Sequence, residues 1–277
     1  MHKSFVQDLQ KSLNHELSIP KNIKYSIIPR PHFVYNDVKF LDKGDTNISN
    51  FAEIKKLKIF ISQKNLFNKL KIKPKYIVID EGNFYFNTNN VKNLNFIFTS
   101  KIHSDILIKN SNLFFKNKDK ELVTLLSSNY IEFEFDKKNQ KNSVKLLGKI
   151  FNTPIKIEST IDFSSKKNQT NIFLKDLKLK IKNESSYDKN YLSYNQIKSF
   201  RTNFNSNIKL EKKRLYIKSI DSNFQLIPLN YTIDVDLNPF SFDSKISLKK
   251  ININRLGSPV LLEDLIKNFI LGNKVIN

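Results

Sequence analysis

The sequence predicts a mainly β protein, in which a long antiparallel sheet is accompanied by short amphipathic helices near the N- and C-termini. One observation behind this prediction is the alternation of apolar and polar residues with a period of two, which is typical of strands with one wet face. Another is the scarcity of glycine, with only 5 among 277 residues. Helical periodicity is confined to the chain ends and one short internal stretch. These patterns favour a meander of hairpins over a fold with crossover helices.

The chain begins with a predicted amphipathic helix over residues 1–18. Ser4 and Gln7 have the spacing of a helix-capping box. Apolar residues then recur every four positions, at Phe5, Leu9, Leu13 and Leu17, and would share one helix face. We expect a single β domain to follow over residues 19–257.

Strands are predicted along this whole β domain. Alternation is clearest in residues 131–136, 155–163 and 231–237. Noisier alternation marks residues 19–28, 32–40, 54–62, 76–80, 84–86, 94–98, 102–108, 172–181, 200–210, 215–220 and 246–253. Polar clusters at 136–142 and 164–170 predict hairpin turns. A change of parity between Leu174 and Leu177 predicts either a bulge or a tight reversal.

Two internal stretches depart from the strand pattern. The leucines and valine within residues 117–127 predict a short helix, and the polar, tyrosine-rich residues 183–195 predict a long loop. All five glycines are expected at turns or element ends. The chain closes with a predicted amphipathic helix over residues 258–277, with Ser258 as N-cap, Pro259 at the first helical position and Gly272 as its stop.

The charge is strongly positive, because 47 lysine and arginine residues face 26 acidic ones and give a net charge of +21. Only four of the basic residues are arginine, whereas phosphate-gripping sites usually favour that side chain. Two interpretations stay open: a solvated lysine surface, or attraction to an anionic membrane face or a nucleic acid.

Reactive residue types form no recognisable constellation, so we expect neither an enzyme nor a bound cofactor or metal. Cysteine is absent, which excludes disulfides and thiol chemistry. The four histidines, at positions 2, 15, 32 and 103, are scattered singly, and no glycine-rich phosphate loop or nucleophile motif is present. No apolar run approaches the roughly 20 residues of a membrane-spanning helix.

Residues 19–40, reading IPKNIKYSIIPRPHFVYNDVKF, form the most distinctive segment. A strand leads into a Pro-x-Pro corner at Pro29 and Pro31, and a second strand ends in Asp37, Val38 and an apolar position. This segment resembles the start of the AsmA family of bacterial envelope proteins, with Tyr25 and the residues just named in the matching places. Residues 52–79 and 146–155 are similar to that family's repeated strand pattern.

The resemblance implies an open trough, in which the sheet curls and its apolar interior holds lipid acyl chains. The residues expected to line this groove are Ile131, Phe133, Phe135, Ile155, Ile157, Ile161, Tyr231, Ile233 and Val235. Alternation is identical in a filled sandwich and in a trough, so only the resemblance favours the trough. The family's members typically begin with a transmembrane helix, whereas this sequence begins at the predicted amphipathic helix.

The function implied by the resemblance is that of a non-enzymatic envelope protein, which binds or moves lipid between membranes and supports outer-membrane assembly. Its expected partners are a phospholipid or other acyl-chain lipid, an anionic membrane surface and other envelope assembly proteins. Its expected location is the periplasmic side of the inner membrane. The alternative from a different class is a basic β-rich module that binds nucleic acid through lysines and exposed rings.

Overall fold

All secondary structure described by the computed structural model is β. The described residues are 16–18, 23–43, 48–61, 74–87, 105–117, 119, 121–186, 191–237 and 240–248. The chain divides into two compact units, Met1–Asp188 and Lys189–Asn277. The predicted mainly β, largely antiparallel architecture is confirmed.

The first unit contains eleven of the described strands. They are β1 (Glu16–Ser18), β2 (Ile23–Ser26), β3 (His32–Lys43), β4 (Ile48–Ile61), β5 (Pro74–Phe86), β6 (Asp105–Lys116), β7 (Leu122–Asp136), β8 (Lys141–Ile150), β9 (Thr153–Asp162), β10 (Lys167–Leu174) and β11 (Leu179–Ser186). From β3 to β11, each strand pairs with its successor in the chain. Strands β1 and β2 both pair with β3, at different places along it.

One pair in this unit, β5 with β6, is parallel, and so the meander is interrupted there. The predicted strand at 94–98 lies outside the described residues, as does most of the connection between β5 and β6. The expected separate strands at 76–80 and 84–86 are one continuous strand, β5.

The second unit contains six described strands. They are β12 (Tyr191–Ser199), β13 (Thr202–Glu211), β14 (Arg214–Ser219), β15 (Ser222–Phe224), β16 (Ile227–Leu237) and β17 (Phe240–Leu248). Strands β14 and β15 both lie between β13 and β16, and behave as one interrupted strand. All the pairings of this unit are antiparallel.

The helix predicted at 117–127 is wrong, because β7 begins at Leu122 and pairs with β6. A short run of apolar residues fits either structure, and the long-range ladder decides for the strand. The polar loop predicted at 183–195 is also wrong in part. Strand β11 continues to Ser186 and β12 starts at Tyr191, because asparagines and serines in these strands pair with neighbouring backbone.

The N-terminal helix prediction lies mostly outside the described residues, but its last three residues form β1 instead, paired with β3. The C-terminal helix predicted at 258–277 lies entirely outside them. Both predicted hairpin turns are confirmed, between β7 and β8 and between β9 and β10. The parity change after Leu174 is a tight reversal, in which Lys178 N donates a hydrogen bond to Lys175 O at 3.1 Å.

A crease crosses the first unit at right angles to its strands. We define the crease as residues 36–37, 55–56, 80–81, 109–110 and 129–130, a consecutive pair on the less buried side of each strand from β3 to β7. The buried residues flanking the crease are therefore three positions apart instead of two: Tyr35 and Val38, Ile54 and Leu57, Ile79 and Gly82, Ile108 and Ser111, Ser128 and Ile131. Asp37, Glu81 and Asn110 have positive φ values of 54°, 55° and 48°.

Small residues line the buried side of the crease. Gly82 lies in β5, Ser111 in β6, Ser128 in β7 and Gly148 in β8, each opposite the next across the sheet. Ser111 Oγ accepts a hydrogen bond from Gly82 N at 2.9 Å and donates one to Lys109 O at 2.6 Å. The prediction that glycines mark turns or element ends is therefore wrong for these two, which occupy strand interiors because neighbouring groups leave little room for a side chain.

The second unit contains a similar interruption of its strands. Asp221, with φ of 44°, separates β14 from β15 and is followed by the buried Ser222. Ser222 Oγ accepts from Asn205 N and donates to Asn205 O, both at 2.8 Å. In both units a residue in the left-handed region precedes a small buried residue whose hydroxyl satisfies backbone groups.

Candidate lipid-binding face

The apolar face of the first unit forms a buried cluster that extends from β3 to β9. Its most enclosed members are Tyr35, Val38, Ala52, Ile54, Leu57 and Ile59, each at most 2% exposed. Burial raises the pKa of the Tyr35 hydroxyl to about 12. This part of the face is a protein core, because its side chains are already covered.

The predicted groove residues of the first unit lie on this same face. Across β8, Ile131 is opposite Leu146, and Leu146 is opposite Ile157. Of the predicted set, Ile131, Ile155 and Ile161 are buried. Phe133, Phe135 and Ile157 are half-buried, so the face becomes more open away from the most enclosed strands.

The apolar face of the second unit is more open. Ile208, Ile217 and Ile233 are register partners across β13, β14 and β16. A second row joins Leu210, Leu215, Val235 and Phe242, and a third joins Tyr231 to Ile246. We call these nine residues the open apolar face. Tyr231, Ile233 and Val235, the predicted groove residues of this unit, all belong to it.

Exposure is greatest along β17, the last described strand. Phe242 is 56% exposed and Ile246 is 59% exposed. Their neighbour Phe240 is 66% exposed, and its ring centroid lies 6.5 Å from that of Phe242. A sheet face with several large apolar side chains in water is uncommon for a soluble monomer, and exposed patches of this kind are candidate interaction surfaces.

The opposite face of the second unit is charged. Arg214 forms ion pairs with Asp234 at 3.6 Å and with Asp236 at 3.8 Å. Lys209 pairs with Glu211 along β13. The two faces of this sheet thus differ sharply, as alternation in the sequence predicts.

The family-like corner is only partly assembled. Tyr25 is exposed, with its ring 5.3 Å from that of Phe33, and Pro29 is exposed after a cis peptide bond. Pro31 is buried. Asp37 is separated from the corner and belongs to the crease.

Sequence reasoning missed the crease, although a signal was present. Polar doublets interrupt the alternation within four strands: Asn36-Asp37, Lys55-Lys56, Asp80-Glu81 and Lys109-Asn110. On the outer side, Lys55 Nζ donates to Glu81 Oε2 at 2.6 Å, which raises the lysine pKa. Asn110 Nδ2 donates to Asp80 Oδ1 at 3.0 Å. These exposed contacts link adjacent strands and present no reactive group arrangement.

Within the part of the chain that is described, no three His, Asp or Glu side chains are grouped so as to hold a metal ion. The described residues likewise include no helix of the length and hydropathy needed to cross a membrane.

Comparison with known protein families finds no match to this sequence. Comparison with curated proteins finds no significantly similar sequence either. The AsmA resemblance therefore stays a prediction, and the apolar faces of the two units are the basis for any functional proposal.

Proposed function

We propose that the protein is a non-enzymatic, AsmA-like envelope protein, which binds or moves acyl-chain lipid and supports outer-membrane assembly from the periplasmic side of the inner membrane. The observation that carries the proposal is the open apolar face of the second unit. An acyl chain laid on this face would replace water over its aliphatic side chains and over the rings of Tyr231 and Phe242. In this proposal the sheet acts as one wall of an open trough.

The chemistry of the open apolar face favours lipid over a polar ligand. Its nine members are aliphatic or aromatic, and the single hydroxyl, on Tyr231, donates to Asn205 O at 3.3 Å. Charged side chains of β14 and β16 occupy the other face. Binding there would gain about 25 cal/mol for each Å² of apolar surface removed from water.

The first unit supports the proposal in a different way. Its buried cluster supplies the stability that an exposed apolar face cannot, since covered side chains contribute most of the hydrophobic free energy. In this view the half-buried Phe133, Phe135 and Ile157 contact lipid within the first unit, and the buried Ile131 and Ile155 belong to its core. Ile161 is buried as well.

Lipid extraction and native mass spectrometry of the gently purified full chain test this function. We expect co-purifying phospholipid, and we expect Ile246→Asp to lose it, because a charge on the open apolar face opposes an acyl chain. Ser247→Asp is the matched control, since it adds the same charge to the neighbouring position of β17 on the other face. It should keep the lipid.

Two results would contradict the proposal. One is purified protein without lipid that also fails to take up fluorescent fatty acid. The other is equal lipid loss in both variants while their circular dichroism stays unchanged, because binding would then not depend on the apolar face.

A further inference from the structure

Two hairpin turns lie side by side at one end of the first unit. Phe151 and Asn152 connect β8 to β9, and residues 175–178 connect β10 to β11. Lys175 N donates a hydrogen bond to Pro154 O at 3.2 Å, which joins the second turn to the strand that follows the first. The two tips therefore form one local surface.

The side chains at these tips are apolar and exposed. Phe151 is 72% exposed and Leu177 is 51% exposed. Phe151 also has a φ of 48°, in the left-handed region where glycine, asparagine and aspartate are favoured in tight hairpins. Folding stability gains little from an exposed phenylalanine and is opposed by this backbone conformation, so the residue serves something other than the fold.

The hairpin turns at the other end of the same strands differ. Their left-handed positions hold Gln140 and Lys166. The connection between β2 and β3 also exposes apolar side chains, Ile27 and Ile28, at that other end. Strand β3 is four strands away from β7 across the sheet. Among the described turns that join β7 to β11, the strongly exposed apolar side chains are thus at one end.

The second unit, considered by itself, also has exposed apolar residues with positive φ at two hairpin turns. Phe200, with φ of 49°, is 78% exposed, and Leu226, with φ of 69°, is 68% exposed. Their turns are adjacent, because Leu226 N donates to Arg201 O at 3.2 Å. The turn at the other end of β13 holds Lys212 in the left-handed position.

Basic residues surround the apolar tips of the first unit. Lys149, Lys175 and Lys178 are exposed there. The acidic residues are Asp176 within the turns themselves and Asp119 and Glu121 in the neighbouring β6–β7 turn. An exposed ring flanked by lysines suits the boundary between lipid headgroups and acyl chains, where the ring is buried and each cation contacts anionic headgroups.

We infer that the hairpin tips bearing Phe151 and Leu177 insert into the interfacial region of an anionic lipid bilayer. The Phe200 and Leu226 tip of the second unit has the same chemistry. These tips share no residue with the open apolar face, so variants can test membrane docking and the holding of an acyl chain independently.

The absence of tryptophan from the sequence permits a direct test. Phe151→Trp places a single tryptophan at the apolar tip, and Ser165→Trp places one in the β9–β10 turn at the other end with the same net charge. With vesicles of phosphatidylcholine and phosphatidylserine at 7:3, we expect a blue shift and quenching by brominated lipid only for Phe151→Trp. Equal responses, or none at Phe151→Trp, would overturn the inference.

A second pair of variants separates docking from stability. Phe151→Asn with Leu177→Ser should weaken vesicle binding at least about fivefold, because exposed apolar area is lost. The thermal midpoint should stay the same or rise, since asparagine favours positive φ. The double variant Gln140→Asn with Ser165→Ala, at the other end, should leave vesicle binding unchanged. Unaltered binding of the first variant would contradict the proposed surface.

Discussion

Gly148 lies within β8, two residues before its end, where β7 and β8 change register between Ser128 and Tyr130. A Cβ at this position would overlap Ser127 O and lie 3.1 Å from Ser128 Cα, both backbone atoms of the neighbouring strand. Gly148→Ala should therefore lower the free energy of unfolding by about 2–4 kcal/mol, as overpacking against a fixed backbone does. Denaturant unfolding of the purified protein measures this change.

Gly82→Ala is the matched control. Its added Cβ would meet the Phe84 ring at 2.9 Å, and a ring at the end of a side chain moves more easily than backbone. We expect a smaller loss of stability than at Gly148. A Gly148→Ala variant as stable as the parent would show that β7 and β8 can separate without cost.

Two aspartates order the polar turns of the first unit. Asp162 accepts hydrogen bonds from Ser164 Oγ at 2.5 Å and Ser165 N at 3.1 Å, and these bonds hold its pKa well below the usual range. Hydrogen bonds from Asn139 likewise lower the pKa of Asp136. Because both pKa values are lower in the folded state, the stabilisation is present above about pH 4 and is lost as pH falls through the folded-state values.

Thermal unfolding at pH 6 and pH 2.5 tests this assignment. The midpoint should fall on acidification, and the double variant Asp136→Asn with Asp162→Asn should fall less, because asparagine keeps an acceptor oxygen but does not titrate. Parallel declines in the parent and the variant would place the acid sensitivity elsewhere.

At the scale of elements, the crease of the first unit and the interruption between β14 and β15 in the second both involve buried hydroxyl groups. Ser111 in the first unit and Ser222 in the second each satisfy backbone groups of the sheet. Replacing either with alanine leaves a buried backbone N–H without its acceptor. We expect Ser111→Ala and Ser222→Ala each to cost about 1–3 kcal/mol of unfolding free energy in urea titrations.

A half-buried serine outside the crease provides the comparison. Ser143 Oγ donates to Glu134 Oε2 at 3.4 Å on the exposed side of β8, and Ser143→Ala should change stability by no more than about 0.5 kcal/mol. Equal effects at Ser143 and Ser111 would argue against a structural role for the buried side of the crease.

The elements that were predictable from sequence are those with uninterrupted alternation. Strand β9 and most of β16 follow a strict period of two, which local physics fixes. The first half of β7 was missed because its apolar run also fits a helix, and only pairing with β6 distinguishes the two. The parallel pairing of β5 with β6 is a non-local choice without a signal in either strand.

The same limit applies to the candidate site. Parity identified Ile233 and Ile131 equally as apolar-face residues, yet Ile233 is half-exposed and Ile131 is buried. Parity reports which face a residue is on, whereas burial depends on what the rest of the sheet places over that face. The open apolar face is therefore visible only in three dimensions.

For the molecule as a whole, the net charge of +21 predicts salt-sensitive attraction to anionic surfaces. Attraction of this kind contributes about 1 kcal/mol for each lysine near an anionic bilayer and is screened over about 10 Å at 0.1 M salt. Flotation with phosphatidylserine-containing vesicles should fall steeply between 50 and 500 mM salt. Neutral phosphatidylcholine vesicles are the control and should bind weakly at every salt concentration.

Oligonucleotide binding under the same salt series tests the nucleic-acid alternative. We expect weak binding that disappears with salt and does not depend on base sequence. Sequence-selective binding that persists at 500 mM salt would favour a nucleic-acid module over the lipid-binding proposal.

The crease has a consequence for how the chain can change in length. One residue is added to the alternation in each strand from β3 to β7, and the strands on either side keep the same register across it. Deleting Asn110 alone would restore strict alternation in β6 while both neighbours keep their extra residue. Half of the β6 ladder would then slip by one position against them.

Asn129 stands in a different position, because the extra residue of β7 is absorbed by the register shift against β8. Deleting Asn129 would remove the register shift between β7 and β8 and create one between β6 and β7 instead. We therefore expect the protein to fold after deletion of Asn129 and to lose most of its stability after deletion of Asn110.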